Sequence, residues 1–505
     1  MANTMVSFAG QALLLLLTFF STPYIMHELG ATTFGALMLV LTYVEAFGLF
    51  DLGINTALVK YIAELLVQKR NQDIQAYFGT ALILFFMGGI LIAGLITLTS
   101  SWVIANLMIT GQELRQEIVF ALWIASIGFL LRFVSQAVSA IPIAVQRFDI
   151  ANYVSVSSEI ARISGTVIVV YFGYALKGVL VVILVANLIS CIVYFAIARR
   201  LIPGILLWPK FSSAHGGSLL HFSKYVLIAN ASSKVVSYAD NILIGYFLPV
   251  AAVAFYATPY AVCQRLARFG GSLAAVVFPA ASSLSATAQS YHLEELYLRG
   301  TKMMVAAVSF PALVLFLFSG EFLRYWIGPE FSQQGALAMR LLIIGFFLNC
   351  LGQIPFLVLQ GTGHPQIAAR FIGGQAILNV ILFWNLIPHF GISGAAAGFL
   401  IAQCIVMPWM THWANGLLRI RRMQLVIKAY ASVVPALILA FLVCVSLRSW
   451  IFSLFSLGLV VMVGMVVYLA LVVAMVLDAK ERATCREFLN GRLSSAYCNE
   501  ETGKV

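Results

Sequence analysis

The sequence predicts an all-α polytopic membrane protein, with about fourteen transmembrane helices in two six-helix pseudo-repeat lobes plus two C-terminal helices. Three observations lead there. Hydrophobic residues fill 62% of 505 positions and charged residues only 10%, and mean hydropathy is +0.97. Soluble domains carry about 25% charged residues. Apolar runs of about 20 residues or more recur along the whole chain without strand-type alternation, which favours helices over a barrel with strands of about 10 residues. Finally, the block from Gln146 to Gly178 (QRFDIANYVSVSSEIARISGTVIVVYFGYALKG) resembles that from Gln360 to Gly394 (QGTGHPQIAARFIGGQAILNVILFWNLIPHFGISG), each reading span, short polar turn, span, Gly-bearing turn.

The expected spans lie at 5–26, 34–56, 77–99, 119–143, 151–172, 178–198, 219–246, 251–283, 300–320, 335–360, 366–387, 392–414, 425–447 and 451–477. The first apolar run, Met5 to Met26, lacks a basic leader and is too long for a signal-peptide core, so it reads as a retained span. The eighth exceeds one bilayer crossing, so part of it is expected to be tilted or interfacial. An even number of spans separates the similar blocks, which makes the repeat parallel. The lobes then cover 1–200 and 201–416, the two extra spans 417–478, and a cytoplasmic tail 479–505. Repeat-built transporters place their substrate between the halves.

Loop charge sets the orientation. Lys60, Lys69, Arg70, Arg147, Arg199, Arg200, Lys210, Arg299, Lys302, Arg419, Arg421 and Arg422 fall in loops on the N-terminal side, joined by Lys480, Arg482, Arg486, Arg492 and Lys504 in the tail, whereas Arg115, Lys177, Arg324 and Arg448 fall opposite. Both termini are therefore expected in the cytoplasm. The same tally explains the net charge of +11 as orientation signal, with no call for nucleic acid as a partner. Arg419, Arg421 and Arg422 also suit anionic membrane lipids.

The seven cysteines form no CxxC pair, and the seven histidines show no ligand spacing, so neither a metal nor a disulfide framework is expected. No GxxxxGK[ST] pattern occurs, which leaves ATP hydrolysis without its usual loop, and no cofactor is expected. Extracytoplasmic loops are too short for the catalytic surface of a membrane enzyme.

Nine cations lie inside the expected spans: Arg132, Arg162, Lys224, Lys234, Arg265, Arg268, Arg340, Arg370 and Lys428. A cation at the bilayer centre costs roughly 2.5–3.5 kcal/mol on insertion scales. Lys224, Arg340, Arg370 and Lys428 sit near span ends and can snorkel to the interface. The other five lie about 16–26 Å along their helices at 1.5 Å per residue. In span 7, Asn230, Lys234, Ser237 and Asn241 share one face, and in span 8 Tyr256, Tyr260, Gln264 and Arg268 do so, with Arg265 beside Arg268. Cations suit a diphosphate or acidic sugars, and tyrosine rings suit sugar faces. The same stripes would also serve as polar glue between helices.

Arg132 with Gln136 and Ser139 in span 4, and Glu159 with Arg162 in span 5, read more economically as internal ion pairing. Glu45 stands open between pairing with Arg132 and coupling transport to an ion. Asp51 and Asp240, near the ends of spans 2 and 7, share the ion-coupling or pairing role.

Three stretches carry a family resemblance: PYIMHELGATTFG (Pro23 to Gly35), FDLGINTALVKYIAE (Phe50 to Glu64) and YADNILIGYFLPVAAVAFYATPYAV (Tyr238 to Val262). With span count and loop lengths over nearly the whole chain, they resemble the Wzx-type oligosaccharide flippases of the multidrug/oligosaccharidyl-lipid/polysaccharide exporter superfamily. The resemblance implies a V of two six-helix lobes around a cavity lined by spans 1, 2, 7 and 8. It implies flipping of undecaprenyl-diphosphate-linked oligosaccharide across the bacterial inner membrane by alternating access, for O-antigen, capsule or exopolysaccharide. H⁺ or Na⁺ would be the coupling ion and a polysaccharide polymerase a partner. On that expectation Lys234, Arg265, Arg268, Asn230, Asn241, Tyr260 and Gln264 bind substrate. The rival is a multidrug efflux pump of the same superfamily, whose cationic cargo would favour an acidic cavity.

Overall fold

The chain meets the hydrocarbon constraint in the simplest way, by closing its backbone hydrogen bonds within helices. The computed structural model describes residues 2–50, 53–106, 112–202, 212–287, 290–478 and 481–482, excluding some side chains at 2–12, 49–50, 106, 213–233, 286 and 290. Among the described residues every regular element is helical, and ten helices are long and apolar enough to cross a membrane.

In order, the helices are α1 (Ala2–Ala46), α2 (Ile54–Val67), α3 (Asn71–Asn106), α4 (Gln112–Ala144), α5 (Phe148–Tyr171) and α6 (Leu176–Leu201). There follow α7 (Ser213–Phe247), α8 (Ala251–Ala274), α9 (Val277–Ala286), α10 (Ser290–Leu317), α11 (Ser319–Trp326) and α12 (Pro329–Gly361). Last come α13 (Pro365–Leu418), α14 (Arg422–Leu425), α15 (Val434–Ser446) and α16 (Leu454–Leu471), the last continued by a π-turn to Val476.

Two of these helices are double. Gly30 (φ 71°, ψ 162°) interrupts α1, and Gly391 (φ 61°, ψ −143°) interrupts α13, both in conformations that glycine alone adopts readily. They fall in the gaps expected between spans 1 and 2 and between spans 11 and 12. The parts of α13 at 365–390 and 392–418 are each long enough for a crossing of about 20 residues.

Two expected spans are corrected. Span 2 does not run unbroken to residue 56: α1 ends at Ala46, a 3₁₀ turn covers Phe47–Phe50, and α2 starts after Gly53 at φ 68°. Helix α2 is amphipathic, burying Ile54, Ala57, Leu58, Ile62 and Leu65 while Lys60 and Glu64 lie exposed on its other face. The long span 8 is divided into α8 and α9.

The packing separates into two units. The first holds residues 1–260 and 369–402, the second 261–368 and 403–505, so the division passes through α8 and α13. In the first unit α4 packs on α2, α3 and α6, while α1 packs on α5 and α7. Small residues permit close approach: a Cβ at Gly35 would collide with the carbonyl of Val250. In the second unit α10 packs on α9 and α12, and α15 on α16. Its core contains Phe310, Phe318, Cys444 and Tyr468; Phe310 stacks on Tyr468 at 5.2 Å, and the Tyr468 hydroxyl donates to the Ala306 carbonyl at 2.7 Å. Large apolar side chains such as Leu16, Phe20, Leu91 and Ile192 stay exposed, as suits helices solvated by lipid.

The end of α16 is tied to α10 by charge. Lys302 is only 7% exposed, and its ammonium donates to Glu481 at 2.8 Å, to Asp478 at 3.3 Å and to the Val476 carbonyl at 3.4 Å.

Candidate polar cavity of the first unit

Four helices of the first unit each turn a polar stripe toward one space. On α4 it is Arg132, Ser135, Gln136 and Ser139; on α5, Ser155, Ser158, Glu159 and Arg162. Both follow i, i+3, i+4, i+7, the spacing that aligns side chains on one helical face. Helix α6 adds Asn187, Ser190 and Tyr194, and α1 adds Glu45. Together they line a cavity of about 510 Å³, within the roughly 300–1,000 Å³ of small-molecule sites.

Its charges are paired. An oxygen of Glu45 accepts a hydrogen bond from Arg132 Nη1, linking α1 to α4. The other oxygen lies 4.0 Å from Lys234 Nζ on α7. The Lys234 ammonium also sits 5.3 Å from the centre of the Tyr238 ring, a cation–π distance. It lies beside Gly48, where a Cβ would stand 3.3 Å from it, so the glycine in the 3₁₀ turn leaves room for the lysine. On α5, Arg162 donates to both carboxylate oxygens of Glu159, with Nε to Oε2 at 2.9 Å.

Neutral groups complete the lining. The Ser158 and Ser190 hydroxyls are 2.7 Å apart, joining α5 to α6, and Asn187 Nδ2 donates to the Gly128 carbonyl at 3.2 Å. Ser139 donates back to the Gln136 carbonyl at 3.0 Å. Ser135 Oγ is buried and has no hydrogen-bond partner among the described residues.

The sequence-expected residues divide sharply in placement. Glu45, Arg132, Glu159 and Arg162, assigned to pairing or ion coupling, line this cavity, and Lys234 borders it. Asn241 and Tyr260, expected to bind substrate, are instead packed inside the unit at 7% and 8% exposure. Asn241 Nδ2 reaches Thr42 at 3.4 Å, and the Tyr260 ring packs against Tyr256 and Phe399. Asp240 is likewise buried, accepting from the Tyr256 hydroxyl at 2.9 Å and the Asn241 backbone N–H at 2.7 Å. Periodicity shows which residues share a face but not what each of them meets.

Arg265, Arg268 and Gln264 belong to the second unit. Arg268 is exposed and donates to Gln264 Oε1 at 2.8 Å, one turn back on the same helix, while Arg265 is half-buried. Asp51 lies outside the described residues, as does the side chain of Asn230. The serines of α5 and the α6 stripe were not singled out from sequence, although their i, i+3, i+7 spacing inside an apolar run was the available signal. The second unit has a larger hollow of about 850 Å³, whose lining, including Phe347, Leu351, Trp409 and Leu437, is mostly apolar and offers little to a polar ligand.

Comparison with known proteins locates this fold. Residues 29–333 match the family model described as "Polysaccharide biosynthesis protein". A Shigella flexneri protein bearing the name O-antigen transporter is 23% identical over 420 residues, covering 81% of this chain and 96% of the relative. The inward closed form of the lipid II flippase MurJ superposes with a TM-score of 0.71 at 14% identity, covering 92% of this chain and 97% of that one. An inward-facing multidrug resistance MATE family transporter of the MOP superfamily gives a TM-score of 0.69 at 14% identity, covering 80% and 94%. The proteins in this set are transporters and flippases rather than enzymes, and the two structural likenesses share a fold. The chain belongs to the polysaccharide biosynthesis protein family, and its fold is that of the multidrug/oligosaccharidyl-lipid/polysaccharide exporter superfamily, the grouping its own residues resemble.

Proposed function

We propose that this protein flips undecaprenyl-diphosphate-linked oligosaccharide repeat units across the bacterial inner membrane by alternating access, supplying the assembly of a surface polysaccharide. The observation that carries this reading is the cavity lined by Glu45, Arg132, Glu159 and Arg162 within membrane-spanning helices of a chain from a polysaccharide biosynthesis family. Charged groups persist at membrane depth where they serve a polar cargo or path, because each is costly to insert. The name of the Shigella relative, which covers most of both chains, points to the same cargo class.

In this proposal the isoprenoid stays in the bilayer while the glycan passes through the cavity, and Lys234 at its border neutralises the diphosphate. Both termini lie in the cytoplasm, as the loop charges indicate. An H⁺ or Na⁺ gradient, or consumption of the product by a polymerase, supplies the driving force.

The test is complementation. In a strain lacking its own flippase, the wild-type chain restores surface glycan, and Lys234→Ala abolishes that restoration at equal membrane abundance. Full glycan with the variant removes the cationic head-group role. Dye efflux by the wild type, without restored glycan, replaces the whole reading with a multidrug pump.

A further inference from the structure

We infer that the cavity of the first unit selects repeat units whose sugars are uncharged and discriminates against sugars bearing a carboxylate. This deepens the flippase reading and rests on it.

The first ground is charge balance. Two guanidiniums line the cavity, Arg132 and Arg162, and each is already held by a carboxylate on the same surface, Glu45 and Glu159. Lys234, the cation at the border, lies 4.0 Å from the second oxygen of Glu45. An acidic sugar inside the cavity therefore meets no uncommitted cation among the described lining residues, since Lys234 at the border is taken up by the diphosphate. To gain one it has to displace Glu45 or Glu159, leaving that carboxylate without its partner cation within membrane-spanning helices. Like charges brought together at an interface oppose binding strongly.

The second ground is hydrogen-bond type. An ionised carboxylate only accepts, whereas a sugar hydroxyl both donates and accepts. The cavity offers both kinds of partner side by side. Glu45 and Glu159 accept, the remaining N–H groups of Arg132 and Arg162 donate, and Gln136, Ser155 and Asn187 line the same space. A polyhydroxyl ligand satisfies such a surface without rearranging any ion pair. A uronate keeps its ring hydroxyls but exchanges a C6 hydroxyl, which donates and accepts, for a carboxylate that only accepts, so Glu45 or Glu159 facing that position loses its donor.

The third ground is Ser135. Its side chain is nine-tenths buried, lines the cavity and has no hydrogen-bond partner among the described residues. Buried hydroxyls are rarely left so, and a neutral hydroxyl or amide on the cargo is the group that fits it.

The experiment pairs two repeat units that differ in one residue, a neutral hexose against the corresponding uronic acid, each assembled in a strain lacking its own flippase. Surface glycan is measured per unit of membrane-inserted protein. The wild-type chain is expected to export the neutral unit roughly tenfold or more above the acidic one. Glu159→Gln, which releases Arg162, is expected to raise export of the acidic unit. The double variant Glu159→Gln/Arg162→Gln, which removes both charges, is expected not to. Should Glu159→Gln fail to insert, Glu45→Gln makes the equivalent test through Arg132. Equal export of both units by the wild type, preference for the acidic one, or no gain from an inserted carboxamide variant overturns the inference while leaving the flippase reading intact. Export of neither unit sinks the flippase reading and the inference with it.

Discussion

Glu45 on α1 and Arg132 on α4 close an ion pair between two membrane-spanning helices whose partners stand 87 positions apart in the chain. The pair is neither surface nor core, since the carboxylate side chain is 28% exposed and the guanidinium 51%. Its contribution should therefore lie between that of an exposed bridge and that of a buried one. Glu45→Gln is expected to destabilise by about 1–3 kcal/mol. Glu45→Gln/Arg132→Gln should cost less than the sum of the single changes. Thermal unfolding of the four proteins in lipid nanodiscs checks this, and strict additivity would refute the coupling.

Lys302 gives the contrasting case, a buried ammonium with two carboxylates. Lys302→Met strips Glu481, itself mostly buried, of its cation and is expected to cost about 3–5 kcal/mol. Adding Glu481→Gln should restore much of the loss, because the residual penalty is the unmatched carboxylate rather than a missing attraction. Melting temperature and protease resistance of the C-terminal segment report both steps. Equal loss in the single and double variants would show that the lysine acts through packing alone.

Gly35→Ala is expected to destabilise the first unit by about 1–3 kcal/mol, since the new methyl meets a backbone carbonyl that no side-chain rotation can clear. Lower yield of monodisperse protein in detergent is the simplest readout. Unchanged yield and melting temperature would mean that α1 and the Val250 turn separate at little cost.

On α13 two alanine substitutions should move stability in opposite directions. Gly391→Ala forces a side chain into φ 61°, ψ −143° and is expected to cost about 1–3 kcal/mol. Gly374→Ala, in the same helix with nothing within 4 Å of the new carbon, should be neutral or stabilising by up to about 1 kcal/mol. Parallel thermal melts decide, and a harmless Gly391→Ala would show that the break is not held in that geometry.

Much of this fold was legible because lipid allows so few backbone solutions. Hydropathy located the helices, and the polar gaps near Gly30 and Gly391 marked their breaks. Helix α2 was harder, because its apolar stripe is interleaved with Lys60 and Glu64 and reads as an amphipathic continuation of the preceding run. The candidate site was legible where partners are local. Glu159 and Arg162 are one turn apart, and their spacing implied the contact. For Glu45 the sequence offers Arg132 as a partner beside an ion-coupling role, and nothing in a linear pattern adds Lys234. The rotation of α7 about its axis was likewise invisible: Lys234 and Asn241 share a face by spacing, yet one meets a carboxylate and the other packs beneath Thr42. Those outcomes are set by neighbouring helices, not by the helix itself.

The two ion pairs also differ in when they can form during synthesis. Arg162 follows Glu159 by three residues, so both leave the ribosome together and can enter the bilayer as a neutral couple on one helix. Glu45 emerges well before Arg132, so their pair can close only once α4 has been made. The order of translation thus leaves the α1 carboxylate waiting for a helix made much later, whereas the α5 pair is complete within a single turn.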